Sequence, residues 1–123
     1  MKSMLAKITD AKLKIKDRGC LSISIHVNYE DGLSQGLGGI VLDEYNQETQ
    51  KRVGTAYGCE MIRRTLLALD VDDFSEMIGM HIHVLGEGEG FRFSPKGIKM
   101  LAVDNIKAKA FIFSELDFML EGQ

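Results

Sequence analysis

An α+β fold, with an antiparallel sheet of five to six strands packed on one main helix plus short helical turns, follows from three features of the sequence. Two segments alternate apolar and polar residues with the period of a half-buried strand, at 11–16 and 21–29. One segment, 56–69, spaces its apolar residues as a helix does. Short turn signals separate the segments, and no linker or internal repeat divides them, so the 123 residues form a single domain.

The first strand reads Ala11-Lys12-Leu13-Lys14-Ile15-Lys16, and Asp17-Arg18-Gly19 turns the chain. In the next, Leu21, Ile23, Ile25, Val27 and Tyr29 share one face, while Ser22, Ser24, His26 and Asn28 share the other. Asp31-Gly32 suits a tight hairpin because both positions tolerate positive φ. A third strand is expected to return through 34–42, making the first third an antiparallel meander. Residues 43–54 are polar and read as a loop. Thr55 then caps a helix over 56–69, with Cys59, Ile62, Leu66 and Leu69 as its buried stripe and Arg63 and Arg64 pointing away.

A helical turn near Asp72 is expected to pack Phe74, Met77 and Ile78 inward and to stop at Gly79. Strand 80–85 turns Met80, Ile82 and Val84 inward and His81 and His83 outward. Gly86-Glu87-Gly88-Glu89-Gly90 reads as a flexible acidic loop. The run 98–103 is apolar on both faces, as in a central strand, and 106–113 reads as the last strand. Ser114, three residues before Asp117, predicts a capped final helical turn.

Composition narrows the function classes. Hydrophobic residues at 45% and charged residues at 27% are ordinary globular values, and a chain this long buries roughly 65% of its unfolded surface. The net charge of −3 argues against nucleic acid as a partner, since phosphate binding is driven by clustered Lys and Arg. Lys12, Lys14 and Lys16, like Lys107 and Lys109, alternate with apolar residues and read as a solvated sheet face. No run approaches the ~20 apolar residues of a membrane span, and no signal peptide is seen at Met1–Lys7. Cys20 and Cys59 therefore read as free, buried thiols in a reducing cytoplasm.

Three groups of residues are candidates for chemistry. Gln35-Gly36-Leu37-Gly38-Gly39 places three glycines in a strand, where a bulge or the close approach of a partner would require them. Arg52, Thr55 and Tyr57, with Gly54 and Gly58, surround a helix start, where free N–H groups attract anions. The Gly-Lys-Ser/Thr ending of a nucleotide loop is missing. His26, His81 and His83 would meet at a metal only if their strands were neighbours, and no fourth ligand stands at a telling spacing. Glu60 and Arg64 form the ordinary i, i+4 pair. There is no nucleophile elbow, paired-cysteine metal signature or His-Glu helix motif, so neither enzyme activity nor a cofactor is expected.

The order Gln35–Gly39, Leu42-Asp43-Glu44-Tyr45, Gly54-Thr55-Ala56-Tyr57-Gly58 with Glu60, Ile62 and Arg64, then Phe74–Val84, resembles a family of small uncharacterised proteins of tailed bacteriophages and bacterial prophages. The similarity spans about 11–85 and departs at His81 and His83, where the family's pattern leads one to expect basic residues. It implies no catalytic residue. It implies a phage-type product in the bacterial host cytoplasm; in that setting a compact acidic domain without catalytic motifs is expected to bind a host protein or complex, with a defence system such as a CRISPR effector, or host replication or transcription machinery, as the target. The surface expected to do so comprises the glycine strand, Tyr45, Tyr57 and the outward Arg63 and Arg64, because Tyr and Arg favour hot spots. A small-ligand or nucleotide site near Thr55 and an accessory role in phage DNA replication are the alternatives. An open sheet edge would also permit a homodimer.

Overall fold

The computed structural model describes residues 1–16, 19–37, 40–101 and 109–120. Strands β1 (Lys2–Lys16), β2 (Cys20–Tyr29), β3 (Ser34–Gly36), β4 (Ile40–Val41), β7 (His81–Glu87), β8 (Ser94–Met100) and β9 (Phe111–Ile112) form one antiparallel sheet. Its order is β3-β2-β1-β7-β8-β9, with β4 continuing along β2 beyond β3. Strands β5 (Asp43–Asn46) and β6 (Lys51–Gly54) make a separate ribbon, and helix α1 (Ala56–Ala68) follows it. This is the α+β architecture that the alternation predicts.

The core lies on one face of the sheet. Ala6, Ile8, Ile23, Ile25, Val27, Ile82, Val84 and Ile98 line it, and Met61, Leu69, Met77 and Leu116 close it from the helical side. The sheet curls at one end. Tyr29 Oη donates to Gln35 Oε1, Gln35 Nε2 donates to the Phe93 carbonyl at 2.8 Å, and the Tyr29 and Phe93 rings meet edge to face at 5.9 Å. The β2–β3 hairpin is thereby tied to the start of β8. Burial, and secondarily Asp31, pushes the Tyr29 phenol up to about 12.

Several elements differ from expectation. The first strand starts at Lys2, nine residues early, because Met4, Ala6 and Ile8 already alternate inward. Leu13 and Ile15 are exposed although their pattern reads as half-buried and Ile23, opposite Leu13, is in the core. Ser22, expected on the solvent side, is fully buried, and its hydroxyl has no partner among the described residues. The third strand breaks: Gly36 pairs with His26, but Ile40 pairs with Ile23, one residue out of step. Gly38 and Gly39 lie outside the described residues.

The polar stretch 43–54 is the β5–β6 ribbon and not a loop. It has no buried face, so no hydrophobic alternation announces it. Asn46 Oδ1 accepts the N–H groups of Glu48 and Thr49, and Gln50 takes the positive φ of 57° that closes the turn.

The buried line of α1 is Gly58, Met61 and Thr65, continuing to Leu69; Cys59 is exposed, and Ile62 and Leu66 flank the line. Thr65 can be buried because its hydroxyl donates to the Met61 carbonyl at 2.7 Å. Gly58 faces the chain because nothing larger fits: a Cβ there would stand 1.9 Å from the Leu42 carbonyl oxygen.

Further along, Met77 is buried in the 3₁₀ turn Phe74–Met77, but Ile78 is 47% exposed, since the chain straightens there toward Gly79. Gly86 and Glu87 belong to β7 and not to a loop; a Cβ on Gly86 would meet the Ser94 carbonyl oxygen at 2.2 Å. The expected strand at 98–103 begins at Ser94, and residues 102–103 lie outside the described part. Of the expected strand 106–113, Phe111–Ile112 is β9, while 106–108, including Lys107, lie outside it. The final 3₁₀ turn, Phe113–Met119, is capped by Glu115, whose Oε1 accepts the Ile112 N–H at 3.2 Å, in place of Ser114.

Candidate functional site

Among the described residues the sheet ends in β3–β4 on one side and β8–β9 on the other, and the curl brings these two edges near each other along a seam. A cleft of about 240 Å³ opens there among Ile40, Tyr57, Met61, Pro95, Lys96, Phe113, Ser114 and Asp117. A second hollow of about 260 Å³, lined by Gly36, Leu37, Ile40, Pro95 and Phe113, adjoins it. Together they offer mainly apolar walls with Tyr57, Lys96, Ser114 and Asp117 as polar groups, the usual make-up of a binding depression. Burial, and after it the neighbouring Asp117 carboxylate, raises the Tyr57 phenol above its ordinary range. Tyr57 therefore stays protonated at neutral pH and can serve as donor or acceptor.

The seam brings together Gly36 and Tyr57 from the sequence-predicted set, and Gln35 braces it through the Phe93 carbonyl. Thr55 stands at the start of the same helix but is fully engaged: its Oγ1 accepts the Gly58 N–H at 2.9 Å and donates to the Leu42 carbonyl at 2.8 Å. It anchors α1 to the end of the third strand and thereby positions Tyr57.

Arg52 is turned to structural use as well. Its Nε and Nη2 bond Asp43 Oδ1 at 3.1 and 2.8 Å, while Asp43 Oδ2 accepts the Leu21 N–H at 3.0 Å. The Arg52 hydrogen bonds hold the Asp43 carboxyl below the usual carboxylate range. Tyr45, directly across the ribbon from Arg52, is 53% exposed. With Gly19, Gln50 and Lys51 the pair lines a depression of about 600 Å³ apart from the seam.

Arg63 is exposed and bonds Glu60 at 3.0 Å, an i, i+3 pair in place of the expected Glu60–Arg64. Arg64 instead reaches Glu115 at 2.6 Å and lies over the Phe111 ring at 4.9 Å from its centroid. It clamps the C-terminal 3₁₀ turn onto α1, and so holds Phe113, Ser114 and Asp117 at the cleft.

The histidines do not converge. His26 is on β2 and His81 and His83 are on β7, with β1 between them, so roughly 10 Å separates the two strands. His26 Nε2 is 3.3 Å from Ser24 Oγ, and His83 Nδ1 is 3.1 Å from Ser3 Oγ. Among the described residues no three His, Cys, Asp or Glu groups are placed to hold a metal.

Two residues that sequence reasoning missed stand out by exposure. Phe91, in the 3₁₀ turn Gly90–Arg92, is 85% exposed, with the Arg92 guanidinium 5.7 Å from its ring centroid. Phe118, next to Asp117, is 69% exposed. An aromatic inside a segment that reads as helix or loop carries no sequence signal of which way it points. The chain matches no family model, no curated protein and no solved structure. Among the described residues no helix is long and apolar enough to cross a membrane.

Proposed function

We propose that this chain is a phage-type, non-enzymatic binding protein that acts stoichiometrically on a host protein or complex through the seam and the helical face beside it. Inhibition of a bacterial defence system such as a CRISPR effector is one form of such action. The observation that carries the reading is Phe118, a large ring left 69% exposed one residue along the chain from Asp117, which lines the apolar cleft. Exposed aromatics beside a hollow are what partner recognition uses as anchors, and folding alone gives no reason to leave them in water. Tyr57 and Asp117 add polar contacts in the cleft, with Lys96 as a cation beside them, while Glu60 and Glu115 are paired with Arg63 and Arg64. The resemblance to small phage and prophage proteins supports the setting.

Affinity capture of the tagged protein from its bacterial host, followed by native mass spectrometry, tests this. The expected result is a host complex retained at fixed stoichiometry and lost on Phe118→Ser. Retention of no partner, or of the same partner by that variant, counts against the reading.

A small-ligand function remains the second reading, and one observation relocates it. The hydroxyl of Thr55 and the guanidinium of Arg52 are both engaged, whereas the seam cleft has open volume beside Tyr57, Lys96, Ser114 and Asp117; the larger hollow beside Arg52 has its guanidinium already taken by Asp43. Extra small mass on the natively purified protein would favour it.

A further inference from the structure

The sheet has a second face, turned away from α1, and its charge is opposite in sign to that of the molecule. The bulge between Ile8 and Asp10 brings Lys7, before it, onto the same face as Lys12, Lys14 and Lys16, after it, and the register adds Lys99 of β8 opposite His83. Against them stand Asp10 and Glu87, with Glu30 at one rim. The whole chain carries −3, so the face is a cationic patch on an acidic protein. Of these lysines only Lys12 has an ion pair among the described residues, a loose one of 3.5 Å to Asp10.

Rings and apolar groups lie between the cations. His81 is opposite Lys7, His83 is opposite Leu5, and His26 is opposite Asp10. A depression of about 290 Å³ is lined by Leu5, Lys7, Asn28, Glu30 and His81. The buried faces of α1 and of the 3₁₀ turns contribute to the core on the other side; on this face Lys7, Lys12, Lys14, His26, Asn28 and His81 are exposed, whereas Ser22, opposite Lys14, is buried.

We infer that this face binds single-stranded nucleic acid, its lysines on the phosphates and its imidazoles and Leu5 under the bases. Charge complementarity selects a polyanion. The rings and apolar side chains interleaved with the lysines select bases laid flat on a sheet, which only an unpaired strand can offer. The segregation is invisible in the sequence total, because the acidic residues of the turns and of the helical side outweigh the face. The inference is independent of the seam and its protein partner.

Fluorescence anisotropy of the full chain with a labelled thymidine oligomer tests it. With about three lysine–phosphate contacts, raising salt from 50 to 200 mM weakens binding roughly twentyfold. Lys7→Glu with Lys99→Glu lowers affinity more than tenfold and flattens the salt slope, and the milder Lys7→Gln with Lys99→Gln does the same to a lesser degree. Lys109→Glu, outside the face, leaves binding unchanged. Thermal melts of each variant establish that the fold is retained. The inference is overturned by absence of binding at low salt. Equal or tighter binding of a duplex or of polyglutamate overturns it too, as does a loss on Lys109→Glu as large as that of the Lys7 and Lys99 changes.

Discussion

Replacing Gly58 by alanine separates local propensity from tertiary structure, because the two predict opposite signs. Gly58 is the third residue of α1 and is buried. By propensity alone, alanine in a helix is favoured over glycine by about 1 kcal/mol. In the fold, however, the new Cβ would lie 1.9 Å from the Leu42 carbonyl oxygen, 2.7 Å from its carbonyl carbon and 2.8 Å from its Cα. All three are backbone atoms and cannot rotate aside. The helix start would have to retreat by roughly 1 Å or more to restore van der Waals distance.

That retreat pulls on the Thr55–Leu42 hydrogen bond and lifts Met61, which is fully buried one turn later. Overpacking of this kind costs about 1–3 kcal/mol, and strain against immobile backbone belongs at the upper end. Set against the gain in propensity, Gly58→Ala is expected to destabilise the fold by about 2 kcal/mol, or a Tm drop of roughly 6–10 °C for a domain of this size. Urea unfolding followed by circular dichroism measures it. Cys59→Ala, at the exposed neighbouring position, is the control and stays within about 0.5 kcal/mol of the parent. A Gly58→Ala protein as stable as the parent, or more stable, would refute the close approach of α1 to Leu42.

Other expectations follow from the same contacts. Thr55→Val removes the helix cap and the donor to Leu42 and costs about 1–2 kcal/mol in urea unfolding, whereas Thr55→Ser retains most of the stability. Ser22→Ala deletes a buried hydroxyl without a described partner and is neutral or stabilising by up to about 1 kcal/mol; a clear loss would mean the hydroxyl is satisfied. Tyr29 has its folded pKa raised to about 12 from an ordinary value of 10. The unfolded chain therefore loses this proton first, and stability present below pH 10 is lost as pH rises toward 12. Tyr29→Phe should flatten that alkaline limb in a pH series of melts. Asp43 has its folded pKa lowered by Arg52, so its contribution is present above the ordinary carboxylate range and is lost as acid protonates it. Asp43→Asn should weaken the fold near neutral pH and reduce its remaining sensitivity to acid.

Much of the fold is legible in the sequence where one face is buried and the other wet. Strand β2 and the core side of β7 follow from alternation, and the cap of α1 follows from Thr55. What escapes has physical reasons. The β5–β6 ribbon buries neither face, so it has no hydrophobic period to read. The stripe of α1 is rotated because glycine and threonine, which score as indifferent, hold its centre: one permits close approach and the other satisfies its own hydroxyl. The break between β3 and β4 is foreshadowed by the glycines.

The candidate site is only half legible. Tyr57 and Gly36 stand at the seam, yet Pro95, Phe113 and Asp117 come from distant segments that only the curl of the sheet brings beside them. From sequence, Arg52 reads as a cation at an anion site by the helix start and Arg64 as an outward recognition residue. Each instead finds a carboxylate, Asp43 across the ribbon and Glu115 across the helix, through pairings that no spacing announces.

The seam as a protein-docking site is tested most directly by quantitative affinity capture from the bacterial host, comparing the parent with Phe118→Ser and Tyr57→Phe under native mass spectrometry. The account predicts a host complex held at fixed stoichiometry by the parent, lost with Phe118→Ser and weakened with Tyr57→Phe, while both variants melt as the parent does. A parent that emerges alone, or a partner retained equally by all three proteins, would contradict it.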